Sequence, residues 1–247
     1  LNLPGAQKRL LEKLCATGKP VVLLNFSGRP TILKWESGHC QAILNVWFGG
    51  SEAGDAICDV LFGDKVPSGK LTTSMPQCMG QIPIYYNHLN TGRPEAERAT
   101  RFHKYKSSYV DVRNDALYPF GFGLSYTSFS YSGFRLDSSR LTRGGQVTAS
   151  VTVTNTGRRD ADEIVQLYIH NPASRIARPV KELKGFRRIH LKAGESRLVD
   201  FTLTPALLAY KDAEGNDILD PGKFDIMVGP NSSTEALSHA SLDYVGD

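Results

Sequence analysis

The chain has 247 residues, 40% of them hydrophobic and 22% charged, and a formal net charge of +4. That length suits one large or two ordinary domains with real cores, and the balance is that of a globular, water-exposed protein. No apolar run approaches the roughly 20 residues that span a bilayer, and basic residues are mixed with acidic ones even in the densest cluster, Arg175 to Lys192, so neither a membrane nor a nucleic-acid partner is expected.

Pro4 sits near the start of a helix that carries Leu10, Leu11 and Leu14 on one side and ends at Gly18. Pro20 to Phe26 is a continuous apolar run of strand length, followed by Ser27-Gly28-Arg29-Pro30. Ala42 to Phe48 is a second such run, closed by Gly49 and Gly50, and it reads as a strand buried on both faces of a parallel sheet. Ser51 can cap the next helix, whose Ala53, Ala56, Ile57, Val60 and Leu61 form one apolar stripe and whose Gly63 suits a left-handed C-terminal residue. Helix, strand, connection, strand and helix follow the grammar of a parallel α/β sheet, in which ligands gather at the carboxyl ends of the strands, here Trp47 to Glu52. Only two convincing strands precede Gly80, with Lys70 to Ser74 as a candidate third. So narrow a sheet is not stable alone, and the sequence reads as the tail of something larger. Cys15, Cys40, Cys58 and Cys78 have no C-x-x-C spacing, so free, mostly buried thiols are expected, with no metal site and no cofactor.

Between Met79 and Asn114 the pattern dissolves into a long loop in which Tyr85, Tyr86, Phe102, Tyr105 and Tyr109 read as aromatic anchors. After Ser130 the period changes to two: Val147, Ala149, Val151 and Val153 alternate, and Ile164 to Ile169, Leu198 to Leu203 and Lys223 to Gly229 follow between turn signals. About seven short strands are expected, in an antiparallel sandwich of immunoglobulin or fibronectin III type. The expected fold class is therefore α/β plus all-β: a partial parallel-sheet α/β sandwich over 1–80, an aromatic-rich loop and interdomain connection over 81–129, and a fibronectin III-like antiparallel β-sandwich over 130–247.

Gly49-Gly50-Ser51-Glu52-Ala53 has the spacing of a nucleophile elbow, which would also need a histidine base, with His88 and His103 as candidates. The competing reading is that Ser51 caps a helix and Glu52 is a first-turn carboxylate favoured by the helix dipole. Trp47 and Phe48 read first as core, Tyr85 and Tyr86 as loop anchors, and Arg29 as a salt-bridge partner or a strand-end ligand. Asn231-Ser232-Ser233 forms a glycosylation triplet, a pattern common by chance.

Several runs occur in a recognisable order: LNLPGAQ at Leu1, SGRP at Ser27, WFGGSEAGDA at Trp47, DVLFGD at Asp59, PSGKL at Pro67, QIPIYYNHLNTGRP at Gln81, LYPFGFGLSYTSF at Leu117 and RPVKELKGF at Arg178. Together they resemble the second domain of family 3 glycoside hydrolases and the fibronectin III-like domain that follows it. The resemblance implies a retaining, exo-acting β-glucosidase or related β-glycosidase, periplasmic or secreted, acting on an oligosaccharide or β-glucoside. It also implies that the nucleophilic Asp, on an N-terminal barrel domain, and the acid/base Glu both lie upstream of Leu1. No catalytic residue is carried over, and the chain by itself is expected to be inactive. Arg29, Trp47, Ser51, Glu52, Tyr86, Asn87, His88 and Arg93 are what remain as walls of a sugar cleft. The alternative from another class is a non-catalytic carbohydrate-binding or scaffold module. Self-association through an exposed sandwich edge is expected in either case.

Overall fold

In the computed structural model, which describes residues 1–246, the two apolar runs near the start pair as a parallel sheet of two strands. β1 (Val22–Asn25) and β2 (Ala42–Asn45) run in register from Val22↔Ala42 to Asn25↔Asn45. α1 (Gly5–Cys15) precedes β1, α2 (Lys34–His39) lies between the strands and α3 (Ala53–Phe62) follows β2. The strands are shorter than the apolar runs and are not covered on both faces: Val22 and Ala42 are exposed, and Leu23, Leu24, Ile43 and Leu44 are half-buried. A sheet this narrow cannot cover the helices beside it. In α1 only Leu11 is buried, and Leu10 and Leu14 remain exposed; α3 buries none of its stripe.

α1 is tied to α2 by polar contacts. Lys8 Nζ lies 2.8 Å from Glu36 Oε1 and 3.6 Å from the centroid of the Trp35 ring, which stacks on His39. Ser51 does not cap α3. The Gly50 carbonyl accepts the Ala53 N–H at 3.3 Å, so the N-cap position falls to Glu52 with no side-chain bond. Gly63 closes the helix as expected, with φ +86° and its N–H on the Val60 carbonyl at 3.2 Å. The four cysteines are free, but none is buried, and Cys58 is exposed.

The residues divide into two units: Leu1–Lys65, Thr72–Tyr85 and Arg93–Phe120 in the first, and Val66–Leu71, Tyr86–Gly92 and Gly121–Asp247 in the second. Lys70 to Ser74 forms no strand. In the first unit Met75 instead makes a single antiparallel bridge with Tyr118. Two buried amides secure the loop that follows. Gln77 Nε2 donates to the Asp115 carbonyl at 2.9 Å and to Asp115 Oδ1 at 3.0 Å, while Gln81 Nε2 donates to the Arg113 carbonyl at 2.8 Å. Tyr109 does anchor, donating its hydroxyl to the Gln81 carbonyl at 2.9 Å. Phe102 and Tyr105 do not: they are 58% and 69% exposed, because buried amide-to-carbonyl bonds already hold the loop.

The second unit holds an antiparallel β-sandwich, in keeping with the alternating pattern. One sheet orders β3 (Phe129–Leu136), β5 (Val147–Asn155) and β8 (Ser196–Leu203). The other orders β4 (Arg140–Thr142), β12 (Ser238–Gly246), β11 (Gly222–Gly229), β6 (Ala161–His170) and β7 (Glu182–Leu191), with β4 and β12 parallel. A short helix, α4 (Pro205–Leu208), and a two-stranded ladder of β9 (Tyr210–Lys211) and β10 (Asp217–Ile218) connect β8 to β11. Val151, Val165, Leu167, Leu191, Phe201, Phe224, Ile226 and Leu242 meet in one apolar core between the sheets.

A buried charge cluster joins the segment 66–71 to this sandwich. Lys70 Nζ bonds both oxygens of Glu163 at 3.2 Å and the Gly123 carbonyl at 3.3 Å, and Tyr131 donates its hydroxyl to Glu163 Oε1 at 2.8 Å. Burial, then the Glu163 carboxylate, pushes the Tyr131 phenol far above its ordinary range. Beside it, Gln166 Nε2 donates to the carbonyls of Gly121 and Pro230 at 3.2 and 2.6 Å. A Cβ at Gly121 would fall 2.1 Å from Gln166 Oε1, and Gly121 has φ +79°, so glycine is required there twice over.

Removing one member of a buried pair leaves the other charge uncompensated. Lys70→Met should therefore lower the unfolding free energy of the second unit by about 3 kcal/mol. Replacing Glu163 with leucine as well should recover much of that loss. Urea unfolding followed by tyrosine near-ultraviolet circular dichroism reads both variants; a loss below about 1 kcal/mol would mean that the pair is solvated.

Candidate functional site

Both strands of the first unit end on asparagine, and those two side chains set the level at which the loops leave the sheet. Asn25, 4% exposed, donates its amide to Asn45 Oδ1 at 2.7 Å and to Thr31 Oγ1 at 3.0 Å, and its carbonyl accepts the Val46 N–H at 3.0 Å. Asn45 Nδ2 is buried without a partner among the described residues. After β1, Ser27 Oγ donates to the Arg29 carbonyl at 2.7 Å and accepts the Arg29 N–H at 3.2 Å, a tight polar turn. After β2, Trp47 adopts φ +55° and the chain turns sharply through Gly49 and Gly50.

The two loops touch. A Cβ on Gly28 would lie 2.9 Å from Phe48 Cε2, so the phenylalanine ring rests against the glycine backbone of the other loop. Phe48 is 82% exposed and is not core, contrary to the reading of its apolar run, while Trp47 is half-buried. The cause is the left-handed turn at Trp47, which ends the sheet's alternation and throws the next ring outward. Next to this pair lies a cavity of about 650 Å³, whose polar lining comes from Asn2, Gln7, Asn25, Ser27, Arg29 and Thr31 and whose apolar lining includes Leu11, Leu23 and Leu24. Its size and mixed lining suit a small ligand. Asn25, the most enclosed of its polar residues, was legible in principle as a polar residue interrupting the apolar run Pro20 to Phe26.

The eight residues singled out from sequence fall in both units. Arg29, Trp47, Ser51, Glu52 and Arg93 belong to the first, and Tyr86, Asn87 and His88 to the second. Of these, Arg29 lines the cavity; among the described residues its guanidinium has no carboxylate partner, so the salt-bridge reading fails. Ser51 and Glu52 are exposed at the start of α3. Arg93 accepts the Ser107 N–H on its carbonyl at 2.8 Å, and its guanidinium carbon sits 6.0 Å from the Tyr105 ring centroid. In the second unit Tyr86 accepts the Leu183 N–H at 3.3 Å and meets the Tyr168 ring edge-on at 5.8 Å. The His88 carbonyl accepts the Val180 N–H at 2.9 Å, and Asn87 is exposed between them. Burial pushes the Tyr86 phenol up, opposed by the Leu183 N–H, so this hydroxyl is a neutral anchor.

Nothing here assembles a serine nucleophile. Among the described residues Ser51 has no histidine partner; His103 Nδ1 is taken by Glu95 Oε2 at 2.5 Å, and His88 Nδ1 lies 3.0 Å from the Leu89 carbonyl. The Ala96 N–H, then His103, holds the Glu95 carboxyl below its usual range. Two enclosed carboxylates of the first unit are committed to cations, Glu36 to Lys8 and Asp115 to Arg113 and Arg98. Among the described residues no group of His, Cys, Asp and Glu is arranged to hold a metal ion.

Gly49 positions the second loop by close approach: a Cβ there would fall 2.6 Å from Ala53 Cβ at the start of α3. Gly49→Ala should overpack that junction and destabilise the first unit by about 1–3 kcal/mol. Gly50→Ala, in open space at φ +72°, should cost only about 1 kcal/mol from its left-handed backbone. Tryptophan fluorescence during urea unfolding separates the two, since both tryptophans lie in the first unit. Equal losses would mean that the contact relaxes freely.

Residues 1–126 match the Glycosyl hydrolase family 3 C-terminal domain, and residues 163–232 match a Fibronectin type III-like domain. The periplasmic beta-glucosidase of Salmonella typhimurium is 47% identical over 94% of this chain, and the beta-xylosidase of Formosa agariphila is 40% identical over 98%. The chain spans 30% and 32% of the length of those two proteins. Among solved structures, the beta-glucosidase from Listeria innocua in complex with glucose superposes with a TM-score of 0.91 at 38% identity, over 99% of this chain and 34% of its own. With its parallel strand-loop-helix unit followed by a fibronectin-type sandwich, the chain belongs to the C-terminal domain family of the family 3 glycosyl hydrolases.

Proposed function

We propose that this chain is the C-terminal part of a retaining, exo-acting β-glucosidase or closely related β-glycosidase that removes terminal non-reducing β-D-glycosyl residues from oligosaccharides. The observation that carries this reading is the 47% identity, across nearly the whole chain, to a beta-glucosidase of which the match covers 30%. Retaining hydrolysis needs two carboxyl groups about 5–5.5 Å apart across the scissile bond. The ion pairs of Glu36 and Asp115 support the view that this chain supplies neither, and that both belong to the parent's other part. The chain's own contribution is to wall the cleft. Aromatic faces stack on the apolar faces of sugars, and amide or guanidinium groups satisfy hydroxyls, which suits Trp47, Phe48 and Arg29 at the strand ends. The name of the Salmonella relative supports a periplasmic or secreted location.

The test is hydrolysis of an aryl β-glucoside by the purified chain, alone and after mixing with a separately prepared N-terminal part of a family 3 enzyme. Silence alone and turnover on mixing are expected. Turnover by the chain alone would place acid and nucleophile among its own Asp and Glu residues and overturn the proposal.

The first unit also presents apolar groups around a sheet of two strands, including Phe26, Phe48 and Phe62 at 56%, 82% and 81% exposure. Exposed apolar surface beside unpaired strand edges favours association. The isolated chain should therefore self-associate at micromolar concentration, and a monomeric mass by light scattering would contradict this.

A further inference from the structure

Between Arg93 and Lys106 the loop of the first unit carries Arg93, Arg98, Arg101, Lys104 and Lys106 against two acidic residues, Glu95 and Glu97. Glu95 is already committed to His103. Among the described residues Arg93, Arg101 and Lys104 have no carboxylate partner, and all three are exposed. Two large rings share the segment with them: Phe102 is 58% exposed and Tyr105 69%. Cations and rings are set side by side. Lys104 Nζ lies 4.9 Å from the Tyr105 ring centroid and the Arg93 guanidinium carbon 6.0 Å from it.

The segment is closed on itself. The Arg93 carbonyl accepts the Ser107 N–H at 2.8 Å, Lys106 Nζ donates to the Pro94 carbonyl at 3.2 Å, and Pro94 and Ser107 form a parallel bridge. Glu97 accepts the Asp115 N–H on its carbonyl at 2.9 Å, which joins the loop to the amide-held stretch behind it. Tyr105 adopts φ +71°, a left-handed conformation that a bulky residue keeps only where its surroundings impose it. Its exposed ring is therefore presented by the backbone and not by apolar burial.

The chemistry of this surface selects its ligand. Aromatic rings stack on the apolar faces of pyranoses, and unpaired guanidinium and ammonium groups make charge-assisted hydrogen bonds to carboxylates. A neutral sugar would use the rings and leave the cations to water; an acidic peptide would use the cations and leave the rings. A sugar acid uses both. We propose that the loop from Arg93 to Lys106 binds a uronic-acid unit of an acidic oligosaccharide, with Tyr105 as the stacking platform and Arg93 and Lys104 as the carboxylate ligands. This deepens the reading of the chain as part of a β-glycosidase and rests on it: the glycosyl residue removed is the same, and the acidic unit lies elsewhere on the same substrate.

Trigalacturonate carrying a fluorophore at its reducing end is titrated with the purified chain and read by fluorescence anisotropy. Saturable binding is expected. Unlabelled trigalacturonate should compete about tenfold better than maltotriose, which lacks carboxylates, or triglutamate, which lacks pyranose faces. Arg93→Ala combined with Lys104→Ala should weaken binding about tenfold and Tyr105→Ala about fivefold, and Tyr105→Phe should restore it. Arg187→Ala combined with Lys192→Ala removes the same charge from exposed positions of the second unit and should leave binding unchanged. No saturable binding, equal competition by maltotriose or triglutamate, or an equal loss in the second-unit variant would overturn the proposal. The titration needs no N-terminal part, so its failure and a silent mixing experiment are separate results.

Discussion

The parallel pairing of Asn25 with Asn45 is the constraint on which the candidate site depends. Strands that end at the same level release their loops at the same level, and here one buried amide bonds the partner strand's asparagine and the threonine of its own loop. The Ser27–Arg29 turn and the Trp47–Gly50 turn consequently come close enough for the Phe48 ring to lie on Gly28. A one-residue slip of either strand would put its side chains on the opposite face of the sheet. The short sheet thus positions the two loops that leave it more than it builds a core.

The second unit works by the opposite economy. Its sheets meet in an apolar core, and several of its buried polar contacts lie where non-sandwich segments are attached. Lys70 and Glu163 hold 66–71, Gln166 holds Gly121, and the backbone of Val180 and Leu183 holds His88 and Tyr86. Each attachment uses a directional bond rather than apolar area, which fixes orientation where a small contact surface could not. The RPVKELKGF run finds its explanation here too. Arg178 pairs with Glu182 and lies 4.5 Å from the Tyr210 ring centroid, and Lys181 donates to the Ser232 carbonyl at 2.8 Å, so the charges that dominate this stretch bind the chain to itself.

Family membership and the proposed activity rest on different grounds. The fold and its two parts follow from matches that cover the chain, including structures that superpose over nearly all of it. Activity belongs to proteins about three times as long. Glu36 and Asp115 of the first unit are each paired with a cation.

Much of this was legible in the residues taken alone. Alternation located β5, β6, β8 and β11, the run from Ala42 to Gly63 read as strand, turn and helix, and Gly63 took its left-handed place. These features depend on neighbours within a few positions, so local sequence suffices. β7 lies at a sheet edge where Phe186, Arg187 and Arg188 are exposed in succession, and β12 mixes small and polar residues, so neither shows a clean period. Two outcomes were set only by contacts between distant residues. Phe48 is exposed against Gly28, and Tyr85 and Tyr86 belong to different units. The sequence determined what each segment would become; the tertiary structure decided which segments meet, because such contacts depend on packing that no local pattern encodes.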